Sequence, residues 1–509
     1  MLSHNVYIIG IDCGLSAEKV SLYDFKGKER GTVYGKVKLL YPLPGYVECD
    51  LEANWKVVAG LIRKLLRLTG VKPKDIIGIC CTGHGNGLYL LDRYKKPYRY
   101  GITSMDNRAS DVLERWKDED LNSKTRPING QGFWNGQTIA LLRWLKIKEP
   151  ETYRSATDIL CFKDYIKYKL TGEITSDYSE MSKVGLIDLQ NRSYSRELLG
   201  ILGIGEVIKV LPPLVESTEV CGRINKEASV ATGLSDGTPV IAGLADIDAC
   251  ALGTGTVHPG EMCIITGTWS INEILTEEII GIRDIFGVSL YPVPGTYLAL
   301  EASATSASNL SWFIEQLLPL EMKFSKRRGK SIYEYCDHMV KSCRAEECGI
   351  TFHPFLYGSD RRTDASAAFL GVKGWSSRKD MLRAVYEGIA FSHKMHVDQL
   401  RSVVGTPVSA TRLAGGLSKS PVWTQILCDV LGVTLEVSTD REIGTKGCML
   451  CGAVGVGLYK NFADAVSKSV VQKKSFKPRK DMKAYYQKKY LLFKASVEKM
   501  EPIWNLFAH

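Results

Sequence analysis

The first apolar stretch of the chain, Val6 to Ile11, is a short β-branched run without polar alternation, the pattern of a strand buried on both faces. It breaks at Asp12, Cys13 and Gly14, and an alternating run follows from Val20 to Tyr23, which predicts strand, tight loop, strand. Apolar residues recur at helical spacing over Asn54–Leu68, Ala140–Lys148 and Arg378–Arg401, whereas ICCTG, PVIAG, CIITG and TYLAL read as short strands. Strands alternating with helices predict an α/β architecture.

A proline- and glycine-rich passage from Leu211 to Ala242, with LPPL and GLSDGTPV, precedes a new strand-rich block and places a domain boundary near residue 250. The second half repeats the opening theme, because IITGTWSINEIL is again an apolar strand, a small polar loop and a further apolar strand, like IIGIDCGLSAEKVSLY. Two domains, 1–250 and 251–509, are therefore expected, with the two loops facing each other across a cleft. A chain of 509 residues, 45% of them hydrophobic, is long enough to give each its own core.

Composition narrows the function classes. No apolar run reaches the roughly 18–20 residues of a membrane span, and the first strand begins at once, without a basic leader or cleavage site, so a cytoplasmic protein is expected. Fourteen cysteines in such a chain read as reduced thiols, and the Cys448/Cys451 pair sits among small residues that suit close helix packing better than zinc. The net charge of +10 is densest near the end, where Tyr486, Tyr490, Phe493 and Val497 mark a terminal helix with an apolar stripe and a solvated lysine face. Neither nucleic acid nor membrane is expected as a partner. A homodimer is the base-rate oligomeric state for a chain of this size, and the pattern of hydrophobic positions shows no interface.

Loops rich in Gly, Ser and Thr that follow buried strands can turn backbone N–H groups toward an anion. Asp12–Lys19, Thr266–Ser270 and Ala414–Ser420 qualify, and the GxxxxGK[ST] phosphate loop is absent. Asp12 stands where the first strand meets its loop, and a carboxylate beside phosphates calls for a divalent cation between them, so magnesium is expected there. Asp246, after another apolar strand and before a run of small residues, is the candidate base for accepting a hydroxyl proton, with Asp248 as its rival.

Taken in order, these segments resemble the FGGY family of carbohydrate kinases over essentially the whole chain. IGIDCGLSAEKVSLYD and ITGTWS are similar to its two phosphate loops, GLYLLD with SMDNRASD to its sugar-binding elements, GLSDGTPVIAGLADIDACALGTG to its catalytic stretch, and RLAGGLSKSPVWTQILCDVLG to its adenosine-binding segment. The resemblance implies an actin-like ATPase fold, two RNase H-like domains around a nucleotide cleft that closes on the sugar. It implies Gly14, Ser16, Ala17, Lys19, Gly267, Thr268, Gly415, Gly416 and Ser418 at ATP, and Asn86, Asp106 and Arg108 at sugar hydroxyls. It also implies Asp246 as base and substrate contact, and Asp12 with Asp246 at Mg2+.

SMDNRA, EASATSASNLSWF and PFLYGS resemble the L-xylulose kinase branch, which implies a ketopentose substrate. Leu15 and Glu18 replace hydroxyl residues of the family's first loop, and Gly85 with Asn86 replaces the Met-His pair of many pentulose kinases. That departure keeps erythritol or another polyol in view as acceptor. A non-catalytic, ATP-dependent module on the same scaffold is the alternative from another class, and Asp246 argues against it.

Overall fold

The computed structural model describes residues 6–506 except 283, 360–361, 363, 406 and 471–472. Two mixed sheets organise the chain. In the first, β1 (Tyr7–Cys13), β2 (Ala17–Asp24) and β3 (Glu29–Lys36) form an antiparallel meander. Helix α1 (Leu51–Thr69) then leads to β4 (Ile76–Gly83), which pairs parallel with β1 on its other side. β5 (Val220–Arg223) and β6 (Pro239–Ile241) complete the order β5-β6-β4-β1-β2-β3.

Helix α2 (Thr138–Lys148) belongs to the long excursion between β4 and β5, and α3 (Asp246–Thr254) leaves the sheet toward the second half. There β7 (Glu261–Thr266), β8 (Ser270–Thr276), β9 (Gly287–Leu290) and β10 (Tyr297–Ser303) are antiparallel neighbours. The long helix α4 (Arg378–Val404) precedes β11 (Ala410–Gly415), α5 (Pro421–Leu431), β12 (Leu435–Ser438), α6 (Ile443–Gly455), β13 (Lys473–Phe476) and α7 (Lys483–Trp504). The second order, β9-β10-β8-β7-β11-β12-β13, repeats the first: a central strand with antiparallel strands on one side and, on the other, two parallel strands followed by an antiparallel edge strand. The strand-loop-strand repeat in the sequence is the visible trace of this duplication.

The β1 sequence is continuously apolar because both its faces are covered. Ile9 and Ile11 pack with Val58, Ile62 and Leu65 of α1, while Ile8 meets Leu252 of α3 and Met449 and Ala453 of α6. Successive side chains point to opposite faces, so the two helix layers each take alternate residues. Helix α1 starts where the Asp50 carboxylate accepts the Ala53 N–H at 3.0 Å and stops at Gly70, whose φ of 67° is left-handed.

Helix α6, from the second half, lies backbone to backbone on α3 and β1. A Cβ on Gly447 would stand 1.9 Å from the Ala249 carbonyl oxygen, and one on Gly10 would stand 2.4 Å from that of Thr445. The small residues around Cys448 and Cys451 therefore serve close packing, and both thiols lie buried beside Cys80 in one core. All fourteen cysteines are free.

On α7, Tyr486, Tyr490 and Phe493 are buried and Val497 packs against the same core. Lys489 departs from the expected solvated face: it is buried with its ammonium on Glu387, because α7 lies in a groove that covers more than one stripe. Among the described residues no helix is long and apolar enough to cross a membrane.

Candidate active site

Asp12 sits near the end of β1, half-buried, and Lys19 returns to it from β2 with Nζ at 3.2 Å from its carboxylate. The register makes this meeting unavoidable, since Asp12 and Lys19 are cross-strand partners. Lys19 also reaches Glu442 at 3.3 Å, just before α6. Between them the chain turns through Gly14 and Ser16, with the Gly14 N–H donating to the Ala17 carbonyl at 3.2 Å. Ser16 is exposed at the tip and Ala17 opens β2.

Asp12 and Lys19 line a cavity of about 620 Å³ whose other wall comes from the second half and includes Gly415, Gly416, Ser418 and Glu442. Gly415 has a φ of 95° and approaches β7 so closely that a Cβ would lie 2.6 Å from the Thr266 carbonyl oxygen. The Ser418 hydroxyl donates to the Gly415 carbonyl at 2.7 Å and locks this turn. Gly267 and Thr268 form the β7–β8 turn outside the wall of that cavity. Their carbonyls accept from the Ala307 N–H at 3.0 Å and the Ser308 hydroxyl at 3.2 Å.

Asp246 is the first residue of α3, half-buried, and accepts the Ile247 N–H at 2.8 Å. Burial and the nearby Asp12 charge push its carboxyl up to about 7. Among the described residues it has no cation in ion-pair contact. Asp248, two positions on, points away along the helix surface and is buried against Lys183 at 2.8 Å. Lys183 also donates to the Ser289 hydroxyl at 2.8 Å. The two aspartates of ADID thus have separate environments, one open and one closed by an ammonium.

Beside Asp246 lies the turn after β4. A Cβ on Gly85 would stand 3.9 Å from Asp246 Oδ1 and 3.4 Å from Glu180 Oε1, so the missing side chain leaves room next to both carboxylates. His84 is structural. Its Nδ1 lies 3.0 Å from the Cys13 carbonyl, which can only accept, so Nδ1–H donates and Nε2 accepts from the Tyr89 hydroxyl at 2.6 Å. Burial pushes the ring down to about 4 and keeps it neutral.

Asn86 has a φ of 60° and accepts the Thr138 N–H at the start of α2, at 3.3 Å. The loop before α2 carries Trp134, whose ring centroid lies 6.2 Å from that of Trp269 in the β7–β8 turn. The Asn86 region and the second loop are thereby brought together from the two halves.

Asp106 and Arg108 are fully interior, unlike a surface pair. Asp106 accepts the Arg108 N–H and Nε at 2.8 Å, the Val47 N–H at 2.6 Å and Arg108 Nη2 at 2.9 Å. Arg108 also pairs with Glu48 at 2.8 Å and lies over the Tyr46 ring at 4.1 Å. A carboxylate with four accepted bonds fixes the guanidinium.

Sequence reasoning missed Glu442 and Gly444. A Cβ on Gly444 would lie 2.8 Å from Asp12 Oδ2, so this glycine lets α6 start against the first loop. The signal was present in the glycine-rich stretch EIGTKGCMLCGAVGVG, but nothing in it tells which strand end it meets. Glu180 and Glu273 were also missed. Both are buried with carboxylate oxygens that lack a hydrogen-bond partner, and burial pushes both well above the usual range.

Two family descriptions match the chain: FGGY family of carbohydrate kinases, N-terminal domain, over residues 7–253, and C-terminal domain, over residues 262–456. The chain is 34% identical over 490 residues to the L-xylulose/3-keto-L-gulonate kinase of Escherichia coli, covering 95% of each. It is 32% identical to a probable L-xylulose kinase of Pasteurella multocida, covering 95% of this chain and 97% of that protein. A ligand-bound xylulose kinase of Lactobacillus acidophilus has the same fold, with a TM-score of 0.88 at 23% identity, over 99% of this chain and all (100%) of that one.

Proposed function

Because the chain belongs to the FGGY family of carbohydrate kinases, we propose that it transfers the γ-phosphoryl group of ATP to a hydroxyl of L-xylulose, with Asp246 as the base. The observation that carries the reading is the half-buried Asp246 carboxylate, without a cationic partner and beside the space at Gly85. An acceptor hydroxyl placed there can pass its proton to the carboxylate as the bond to phosphorus forms. Asp248 is unsuited, because Lys183 holds it.

Arg108 is committed to Asp106 and Glu48, and Lys183 to Asp248. In this reading Asp106 acts by holding Arg108, while Asn86 and Arg108 face sugar hydroxyls.

ATP would lie in the 620 Å³ cavity, with phosphates toward Lys19 and the turns at Gly14, Ser16, Ala17, Gly267 and Thr268, and adenosine toward Gly415, Gly416 and Ser418. Asp12 and Asp246 fit a divalent ion, since the negative charge of one destabilises the ionised form of the other and a cation relieves both. Among the described residues no group of three or more His, Cys, Asp or Glu could hold a metal alone. Mg2+, which takes one or two carboxylates and completes its shell with phosphate and water oxygens, meets that donor set and would neutralise phosphate charge. We divide the chain near residue 250, with sugar contacts and the first phosphate loop in 1–250 and the second loop and adenosine pocket in 251–509, and we place the enzyme in the cytoplasm.

The test is ADP release with MgATP across L-xylulose, D-xylulose, 3-keto-L-gulonate and erythritol, each against a no-sugar blank. L-xylulose should give the highest kcat/KM, and Asp246→Asn should lower its kcat by about 10²–10⁴-fold with ATP-analogue binding unchanged. A flat panel over intact ATP binding, or normal turnover in the variant, overturns the reading.

A further inference from the structure

A second cavity, larger at about 760 Å³, opens next to the nucleotide cavity and is not used by the chemistry above. One wall is the tip of the β2–β3 hairpin and the other comes from the segment before α6, from α6 itself and from the end of the helix Phe462–Ser469. Six cationic side chains line it, Lys26, Lys28, Arg30, Arg441, Lys446 and Lys468, against two acidic ones, Glu29 and Asp440.

Part of that charge is compensated within the protein: Arg30 pairs with Asp24 at 2.7 Å, Lys468 with Asp464 at 2.7 Å and Lys446 with Asp440 at 3.5 Å. Lys26, Lys28 and Arg441 have no carboxylate in ion-pair contact among the described residues. Convergent like charges on a concave wall raise the local potential and concentrate anions.

The walls are set in advance. Gly27, at the hairpin tip with a φ of 71°, sits so close to Ser469 that a Cβ would lie 2.5 Å from that side chain's Cβ. The Tyr459 hydroxyl donates to the Phe25 carbonyl at 2.7 Å, and Lys446, with its side chain 1% exposed, donates to the Gly27 carbonyl. A rigid cavity spends little ordering on its ligand. It also differs from the nucleotide cavity: Asp12, Lys19 and Gly415 do not line it, and only Thr439, Asp440 and Arg441 are shared.

We propose that this cavity is a second anion site, which takes a small ligand carrying two or more phosphate groups while the nucleotide is bound. Lys26, Lys28 and Arg441, the lining cations without an ion-pair partner among the described residues, match such a ligand better than a single phosphate. Because the shared Thr439–Arg441 segment leads directly into Glu442, the site adjoins the Lys19 and Asp12 contacts.

The test is calorimetric titration of inorganic pyrophosphate into enzyme saturated with a non-hydrolysable ATP analogue, with a pentose bisphosphate as a parallel probe. One equivalent of at least one probe should bind, more tightly than orthophosphate. Binding should weaken about tenfold or more in Lys26→Ala/Lys28→Ala and in Lys468→Ala, and should weaken with added salt. The tighter probe tells an inorganic polyphosphate from a phosphorylated metabolite. Sugar phosphorylation without added probe should be unchanged in these variants, whose replaced side chains are exposed. No binding of either probe at millimolar concentration, binding abolished by the ATP analogue, or affinity unchanged in all variants overturns the proposal.

Discussion

Gly85 and Asp246 stand so that a Cβ on the first would lie 3.9 Å from a carboxylate oxygen of the second. Gly85 is not in the left-handed region, so a side chain there changes pocket volume without straining the backbone. If the sugar approaches Asp246 past Gly85, as proposed, Gly85→Met should lower kcat/KM for the ketose about 100-fold or more while leaving KM for ATP within about threefold. Steady-state kinetics with each substrate varied checks this, and an unchanged kcat/KM would mean the sugar does not approach Asp246 past Gly85.

The two aspartates at the head of α3 should separate in a stability measurement. Asp248→Asn leaves the Lys183 ammonium almost buried without its counter-charge and should cost about 3–5 kcal/mol. Asp246→Asn removes a carboxylate that burial and Asp12 disfavour, so its midpoint should stay level or rise. Thermal or denaturant unfolding of the pair decides, and equal losses would refute the distinction.

Glu18 is interior, the Cys13 thiol is the polar group beside its carboxylate, and burial pushes it up to about 8 from the ordinary 4.5. Between those values the folded chain keeps a proton that the unfolded chain has lost, so this group's contribution to stability falls as pH rises from about 4.5 to 8. Glu18→Gln resembles the protonated side chain. It should be close to wild type in stability at pH 5 and more stable by about 2–4 kcal/mol at pH 8. A gain that does not change with pH would contradict the buried neutral acid.

Gly444 backs the Asp12–Lys19 loop, and one added methyl reaches 2.8 Å from Asp12 Oδ2. Gly444→Ala should turn that carboxylate and raise the Mg2+ concentration for half-maximal rate about tenfold with little effect on KM for the sugar. A magnesium titration at saturating ATP checks it, and an unchanged midpoint would detach Asp12 from the metal.

Legibility in the sequence followed the range of the forces involved. The Val6–Ile11 strand, the helix over Arg378–Arg401 and the repeated strand-loop-strand unit are local patterns, and the structure places them within a few residues of the expected bounds. The candidate loops could be placed in order because each follows its own buried strand. Contacts between Glu442 and Lys19, or Trp134 and Trp269, depend on how the two halves meet, and no periodicity records that. Residue type says little about burial of charge: in KDYIKYK, Lys163, Lys167 and Asp164 lie in the interior, held by one another and by Asp177. Their cost is offset only when the partners arrive together, a tertiary condition that residue type does not reveal.

Helix α6 has a consequence for the birth of the chain. The face of β1 and β4 that carries Ile8 and Cys80 is covered in part by Leu252 of α3 and closed by Met449 and Ala453, so it stays incompletely covered until synthesis passes roughly 190 residues beyond α3. At ordinary translation speeds that is about 10–40 s during which an apolar sheet surface is partly open on the ribosome. Stalling or truncation before residue 443 should therefore leave a nascent chain that chaperones hold rather than a finished first half.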